Sequence, residues 1–244
     1  MSETKLTYTS ESGVSGKFVE TAFDEKGILA GIRLNHEDDY NFAFDTVDAI
    51  AAKTPDKGAM IYVSNAKEEK RFTFGEMSRY SSQTAHYFKS LGIKKGDRVM
   101  LVLKRHYQFW FSILALHKIG AIVIPATNLL VKQDFVYRFN AADVSAIVCT
   151  SDGNVSDYAD EAAEECPQLK TKIIVGTPKE GWHDFNSEFS SFPEVFARPE
   201  GEEAAKGNDT MLMFFTSGTT AYPKIAVHNF KYPLGHFITA KYWH

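Results

Sequence analysis

At 244 residues, with 44% hydrophobic and 24% charged side chains, the chain can bury a sizeable core and has the composition of a globular protein. A formal net charge of -4, with basic residues gathered only in pairs such as Lys94 and Lys95, excludes a nucleic-acid platform. No segment has the apolar length that crosses a bilayer, and the start, Ser2-Glu3-Thr4, lacks a basic head followed by an apolar run, so a cytoplasmic location is expected.

Residues 1–38 are polar and punctuated by glycine, and they close on the acidic cluster Glu37 to Asp39. They read as a solvated lead-in to a first helix over Phe44 to Lys53, which Pro55 to Gly58 ends. Ala59 to Val63 and Lys70 to Thr73 are strand candidates around a polar turn, as in a hairpin. Thr73 and Glu76 have capping-box spacing, and Phe74, Met77, Tyr80, Thr84, Phe88 and Leu91 recur at helical spacing up to the stop at Gly92.

From there strands and helices alternate. Strands are expected at Arg98 to Leu103, Ala121 to Ile124, Ala146 to Cys149 and Lys172 to Val175, with helices at Tyr107 to Ile119, Gln133 to Asn140 and Tyr158 to Cys166 between them. This rhythm predicts an α/β fold, a parallel sheet flanked by helices on both faces, with ligands at the carboxyl ends of its strands. Phe192 to Asn208, charged and broken by Gly and Pro, reads as a surface connection. Cys149 and Cys166 have no companion at metal-ligand spacing and read as buried thiols. The aromatic set His106 to Phe111 suits core packing, and His228 suits a satisfied structural histidine.

The most informative stretch is Met211 to Phe215 (MLMFF) followed by Thr216 to Lys224 (TSGTTAYPK). Five apolar residues suit a buried strand, and the run after them offers hydroxyls, a glycine and a lysine to an anion. Gly218 lets the backbone approach closely, the hydroxyls donate to phosphate oxygens, and Lys224 adds positive charge. A plain turn rich in Ser and Thr would need no such order. The spacing is not that of a Walker A loop, because Pro223 precedes Lys224 and Ile225 follows it.

The pattern Thr-Ser-Gly-Thr-Thr-x-x-Pro-Lys resembles the signature of the adenylate-forming (AMP-binding) superfamily, which includes acyl-CoA synthetases, luciferases and peptide-synthetase adenylation domains. Phe72 to Met77, Leu91 to Val99 and Ala115 to Pro125 follow the order of landmarks in the N-terminal part of these enzymes. Tyr40 to Asp45, Ile124 to Thr127, Asp134 to Arg138 and Lys172 to Val175 resemble the medium-chain acyl-CoA synthetases. Ala221 stands where that family usually has Gly and sometimes Ser, and if the position needs positive φ the methyl group costs about 1 kcal/mol. Leu129 stands where the medium-chain enzymes carry a polar residue near the CoA side.

The resemblance implies the following. The chain is an N-terminal fragment: residues 1–38 a lead-in and 39–244 a partial adenylation domain, with the C-terminal domain absent and the fragment alone inactive. The parent activates a short- or medium-chain carboxylic acid with ATP and passes the acyl group to coenzyme A. Alternatives are loading of an amino or aryl acid onto a carrier protein, or a non-catalytic nucleotide-binding module. Thr216, Ser217, Gly218, Thr219 and Thr220 would hold the ATP phosphates, Ala221, Tyr222 and Pro223 would shape the turn, and Lys224 would stabilise phosphate charge. Mg2+ would share that charge without a protein ligand in this segment.

Overall fold

The computed structural model describes residues 6–217 and 222–242. A small antiparallel sheet comes first: β1 (Thr9–Ser10), β2 (Val19–Phe23) and β3 (Leu29–Leu34), paired in that order. The expected solvated lead-in thus contains ordered sheet. Its anchor is short, since Phe18 and Val19 bury against Tyr40 and Leu234 while most of β3 stays exposed. The β2–β3 turn is closed by Asp24, whose carboxylate accepts from the N–H groups of Lys26 (2.9 Å) and Ile28 (2.8 Å).

A π-helical turn over Ala43–Asp48 leads into α1 (Ala49–Lys53), so the expected helix starts with wider winding. β4 (Gly58–Val63) and β5 (Glu69–Thr73) form the expected antiparallel hairpin. α2 (Phe74–Ser90) begins at a complete capping box: Glu76 N–H donates to Thr73 Oγ1 (3.2 Å) and Thr73 N–H donates to Glu76 Oε2 (2.9 Å). It ends where Gly92 takes φ 86°, a conformation that side chains with a Cβ resist.

The central sheet has seven strands. They are β6 (Arg98–Val102), β7 (Ile122–Pro125), β8 (Ala146–Thr150), β9 (Thr171–Val175), β10 (His183–Asp184), β11 (Thr210–Thr216) and β12 (Lys224–Asn229). Their order is β10-β9-β8-β6-β7-β11-β12, parallel throughout except β12, which returns antiparallel to β11. The connecting helices are α3 (Gln108–Ile119), α4 (Lys132–Ala142), α5 (Val155–Ala163) and α6 (Phe185–Glu188), and α7 (Tyr232–Tyr242) follows the last strand.

Strand alternation divides the core. Val99, Leu101 and Val148 face the layer built by α2 and α3, whereas Met100, Val102, Ile147 and Cys149 face α4 and α5. With both faces covered, the central strands β6 and β8 carry apolar residues at consecutive positions, Val99 to Val102 and Ala146 to Cys149, which is why the sequence shows short continuous runs. Truncating one such residue, as in Leu101→Ala, carries a cost of about 2–5 kcal/mol.

The connection over 192–208 runs along the surface as expected, but it is pinned. Gln83 Nε2 donates to the carbonyls of Ser190 (2.8 Å) and Phe192 (3.1 Å), and Lys95 Nζ donates to that of Ala204 (2.7 Å). Arg198 Nη1 pairs with Asp45 at 2.8 Å, fastening the connection to the π-helical turn. A buried ion pair, Lys118 Nζ to Asp48 Oδ2 at 2.9 Å, ties the same turn to α3, with Ser82 Oγ accepting a second bond at 2.9 Å. Among the described residues no helix is long and apolar enough to cross a membrane.

Candidate functional site

The chain leaves β6 in two directions, first to β7 and later to β8 on its other side, so the order of strands reverses beside β6. In open α/β sheets, ligands occupy the carboxyl edge of the strands near such a reversal. β11 runs parallel to β7, so its C-terminal residue Thr216 reaches that edge, and Lys224 begins the antiparallel return. The signature run is therefore the tip of a hairpin whose stem is the last pair of sheet strands. No element was expected beyond Lys224 in the sequence; β12 was missed because Lys224 to Asn229 mixes Ala, Val, His and Asn without strict alternation.

Thr216 and Lys224 are cross-strand partners, and Thr216 Oγ1 donates to the Lys224 carbonyl at 3.3 Å. Thr216, Ser217, Tyr222 and Lys224 are exposed. Gly218, Thr219, Thr220 and Ala221, the expected centre of the loop, lie outside the described residues. The stem thus holds the first and last residues of the run together at its base, with Thr216, Ser217 and Lys224 at one end of the sheet.

α4 supports the far side of the loop. Tyr137 Oη donates to the Pro223 carbonyl at 2.7 Å, and its ring stacks on Tyr222 with centroids 4.9 Å apart. Arg138, held by Asp134 at 3.2 Å, lies 5.2 Å above the Phe215 ring. Neither Tyr137 nor Arg138 is assigned a role by the sequence, although the i,i+4 spacing of Asp134 and Arg138 marks an oriented helix face. His228 packs its ring against Tyr232 (4.0 Å) and Phe214 (5.7 Å), a structural setting made by aromatic neighbours.

A second group of polar side chains stands at the same edge, between the ends of β6 and β8. His106 Nε2 lies 2.7 Å from Thr150 Oγ1 and 3.5 Å from Asp152 Oδ2. Burial lowers the His106 pKa, and the Asp152 carboxylate opposes that shift. Phe111 is buried as expected, but Trp110 is 50% exposed, so the aromatic set from His106 to Phe111 is only partly core. Cys149 and Cys166 are free and buried. No group of three metal-binding side chains occurs among the described residues.

The model of the family described as AMP-binding enzyme matches residues 47–242. The chain belongs to that AMP-binding enzyme family. Among curated relatives, it is 35% identical over 200 residues to the human acyl-coenzyme A synthetase ACSM1, mitochondrial, covering 79% of this chain and 33% of the relative. It is 34% identical over 198 residues to acyl-coenzyme A synthetase ACSM5, mitochondrial, of Rattus norvegicus, covering 78% and 33%. The chain thus spans about a third of the length of these AMP-binding relatives.

Solved structures share the fold. An acyl-CoA synthetase of Brucella canis superimposes with a TM-score of 0.72 at 20% identity, over 85% of this chain and 37% of that one. The anthranilate CoA ligase AuaEII, solved with anthranoyl-AMP, gives a TM-score of 0.70 at 23% identity, over 85% and 38%. The α/β architecture of the AMP-binding fold, with its mostly parallel sheet between helical layers, is therefore as the sequence predicts.

Proposed function

We propose that this chain is the phosphate-gripping part of an acid:CoA ligase that acts on a short- or medium-chain carboxylic acid. The observation that carries the reading is the hairpin from Thr216 to Lys224 at the carboxyl edge of the sheet, in a chain of the AMP-binding family. The relatives, acyl-coenzyme A synthetases, support the reaction class. Turnover is proposed for a polypeptide of the relatives' length; the 244 residues alone are expected to be inactive, with residues 1–38 as lead-in and 39–244 as a partial adenylation domain.

In this reading a carboxylate oxygen attacks the α-phosphorus of ATP, forming an acyl adenylate and releasing pyrophosphate. The sulfur of coenzyme A then attacks the acyl carbonyl, loses its proton and displaces AMP. The first step needs no general base, since the nucleophile is already an anion. Catalysis there is positioning and charge stabilisation. Thr216, Ser217, Gly218, Thr219 and Thr220 donate to the phosphates, Lys224 pairs with their oxygens, and Ala221, Tyr222 and Pro223 set the path of the turn. Mg2+, bound with the nucleotide, supplies further neutralisation of phosphate charge.

Acid-dependent exchange of labelled pyrophosphate into ATP, measured with fatty, aromatic and amino acids, tests the reading. Exchange with a fatty acid followed by CoA-dependent AMP release supports it, and exchange restricted to amino acids rejects it.

A further inference from the structure

α7 begins three residues after the end of β12, the return arm of the signature hairpin. The link between them is tight. Asn229 Oδ1 accepts from the Lys231 N–H at 3.1 Å, and Phe230 is fully buried with its N–H on the Asp209 carbonyl at 3.2 Å. A displacement of α7 is therefore passed to β12, whose ladder with β11 sets Lys224 opposite Thr216.

What α7 leans on is the N-terminal sheet. Leu234, Phe237, Ile238, Lys241 and Tyr242 recur at helical spacing along one face of the helix. The first three pack with Phe18, Val19 and Tyr40, and Tyr242 meets the Phe23 ring edge-on at 6.0 Å. This apolar contact is small, since Leu234 is the one buried residue of α7.

A charged clasp supplements it. Glu11 follows β1, and its side chain is 5% exposed. The carboxylate accepts from Thr21 Oγ1 on β2 (2.9 Å) and from Tyr242 Oη (2.5 Å), and it pairs with Lys241 Nζ. Hydrogen bonds to a charged group are the stronger kind, and a buried carboxylate stripped of donors is costly, so Glu11 and its donors hold or fail together. The backbone is fitted to the clasp as well. A Cβ on Gly16 would stand 1.9 Å from the Glu11 carbonyl oxygen, an approach that glycine alone allows.

We infer that residues 6–35 brace the signature hairpin, with Glu11 as a positioning residue that clasps α7, 230 positions away in sequence, and through α7 fixes the return arm β12. The bearing of the brace on a nucleotide rests on the phosphate-loop reading proposed above. The brace itself is tested without nucleotide, so the failure of either is seen separately.

Hydrogen–deuterium exchange of the 244-residue chain, followed by mass spectrometry with β8 and β9 as internal reference, tests it. Glu11→Ala should speed exchange at least ~10-fold in α7 and ~3-fold or more in β12, leaving β8 and β9 unchanged. Gly16→Ala, which keeps the clasp's side chains and displaces the Glu11 backbone, should act in the same direction. Glu11→Gln keeps an oxygen that accepts from Thr21 and Tyr242, and should recover part of the protection. Tyr242→Phe keeps the ring against Phe23, and gives the same comparison of α7 with β12 where Glu11→Ala does not fold. Joined to Glu11→Ala, it should add nothing to that variant's effect. A β12 that keeps its protection while α7 loosens would overturn the inference. So would an α7 unchanged in every variant, or effects of Glu11→Ala and Tyr242→Phe that multiply as independent ones do.

Discussion

Tyr137 on α4 donates its hydroxyl to the Pro223 carbonyl at 2.7 Å while its ring stacks on Tyr222. One side chain thereby holds the return side of the signature hairpin against the helical layer. On the proposed reading this matters, because a loop that is to bind phosphate by position must be fixed before the ligand arrives.

Tyr137→Phe keeps the stacking and removes the hydrogen bond. A bond of this kind contributes about 0.5–1.5 kcal/mol. ATP affinity should fall by up to about 10-fold with little change in global stability, measured by nucleotide titration alongside thermal unfolding. An unchanged affinity would show that the loop is held by its stem alone.

Thr73→Ala removes one half of the capping box at the start of α2. The expected loss is about 1 kcal/mol in a urea titration. Glu76→Gln should cost less, since an amide oxygen can still accept from the Thr73 N–H.

Much of this was legible in the sequence for physical reasons. The capping box, the β4–β5 hairpin and the alternating strands and helices from Arg98 onward are local signals, carried by residues near one another in the chain. The N-terminal sheet was not legible, because β3 is largely exposed and shows little apolar alternation. Of the site, Thr216 to Lys224 could be read from their order, whereas the part played by Tyr137 depends on contact across 86 positions of sequence. Likewise, nothing local in α3 announces that Lys118 will pair with Asp48 in the core.

His117 links stability to pH. Its folded pKa is about 3 against an ordinary value of 6.5, so below pH 6.5 the unfolded chain takes up a proton that the folded chain refuses. This contribution to stability is present above that pH and is lost as pH falls toward 3, by up to about 1.4 kcal/mol per pH unit. Urea unfolding at pH 7, 6, 5 and 4 should show the decline, and His117→Gln should reduce its slope by one proton.

Cys149 should be inert in the native state. It is buried in β8, and burial pushes its thiol up to about 12. A thiol reagent at pH 8 should label it only after denaturant is added, and rapid labelling of the folded chain would contradict the packing described.

The proposal tested most directly is that the run from Thr216 to Lys224, joining β11 to β12, grips the phosphates of ATP. Its most direct test is acid-dependent pyrophosphate exchange in a polypeptide of the relatives' length, compared between the native sequence and Lys224→Ala. Removal of a charge-assisted contact to phosphate should slow exchange by at least ~10-fold, with Lys224→Arg recovering part of it. Equal exchange in the alanine variant would contradict the account.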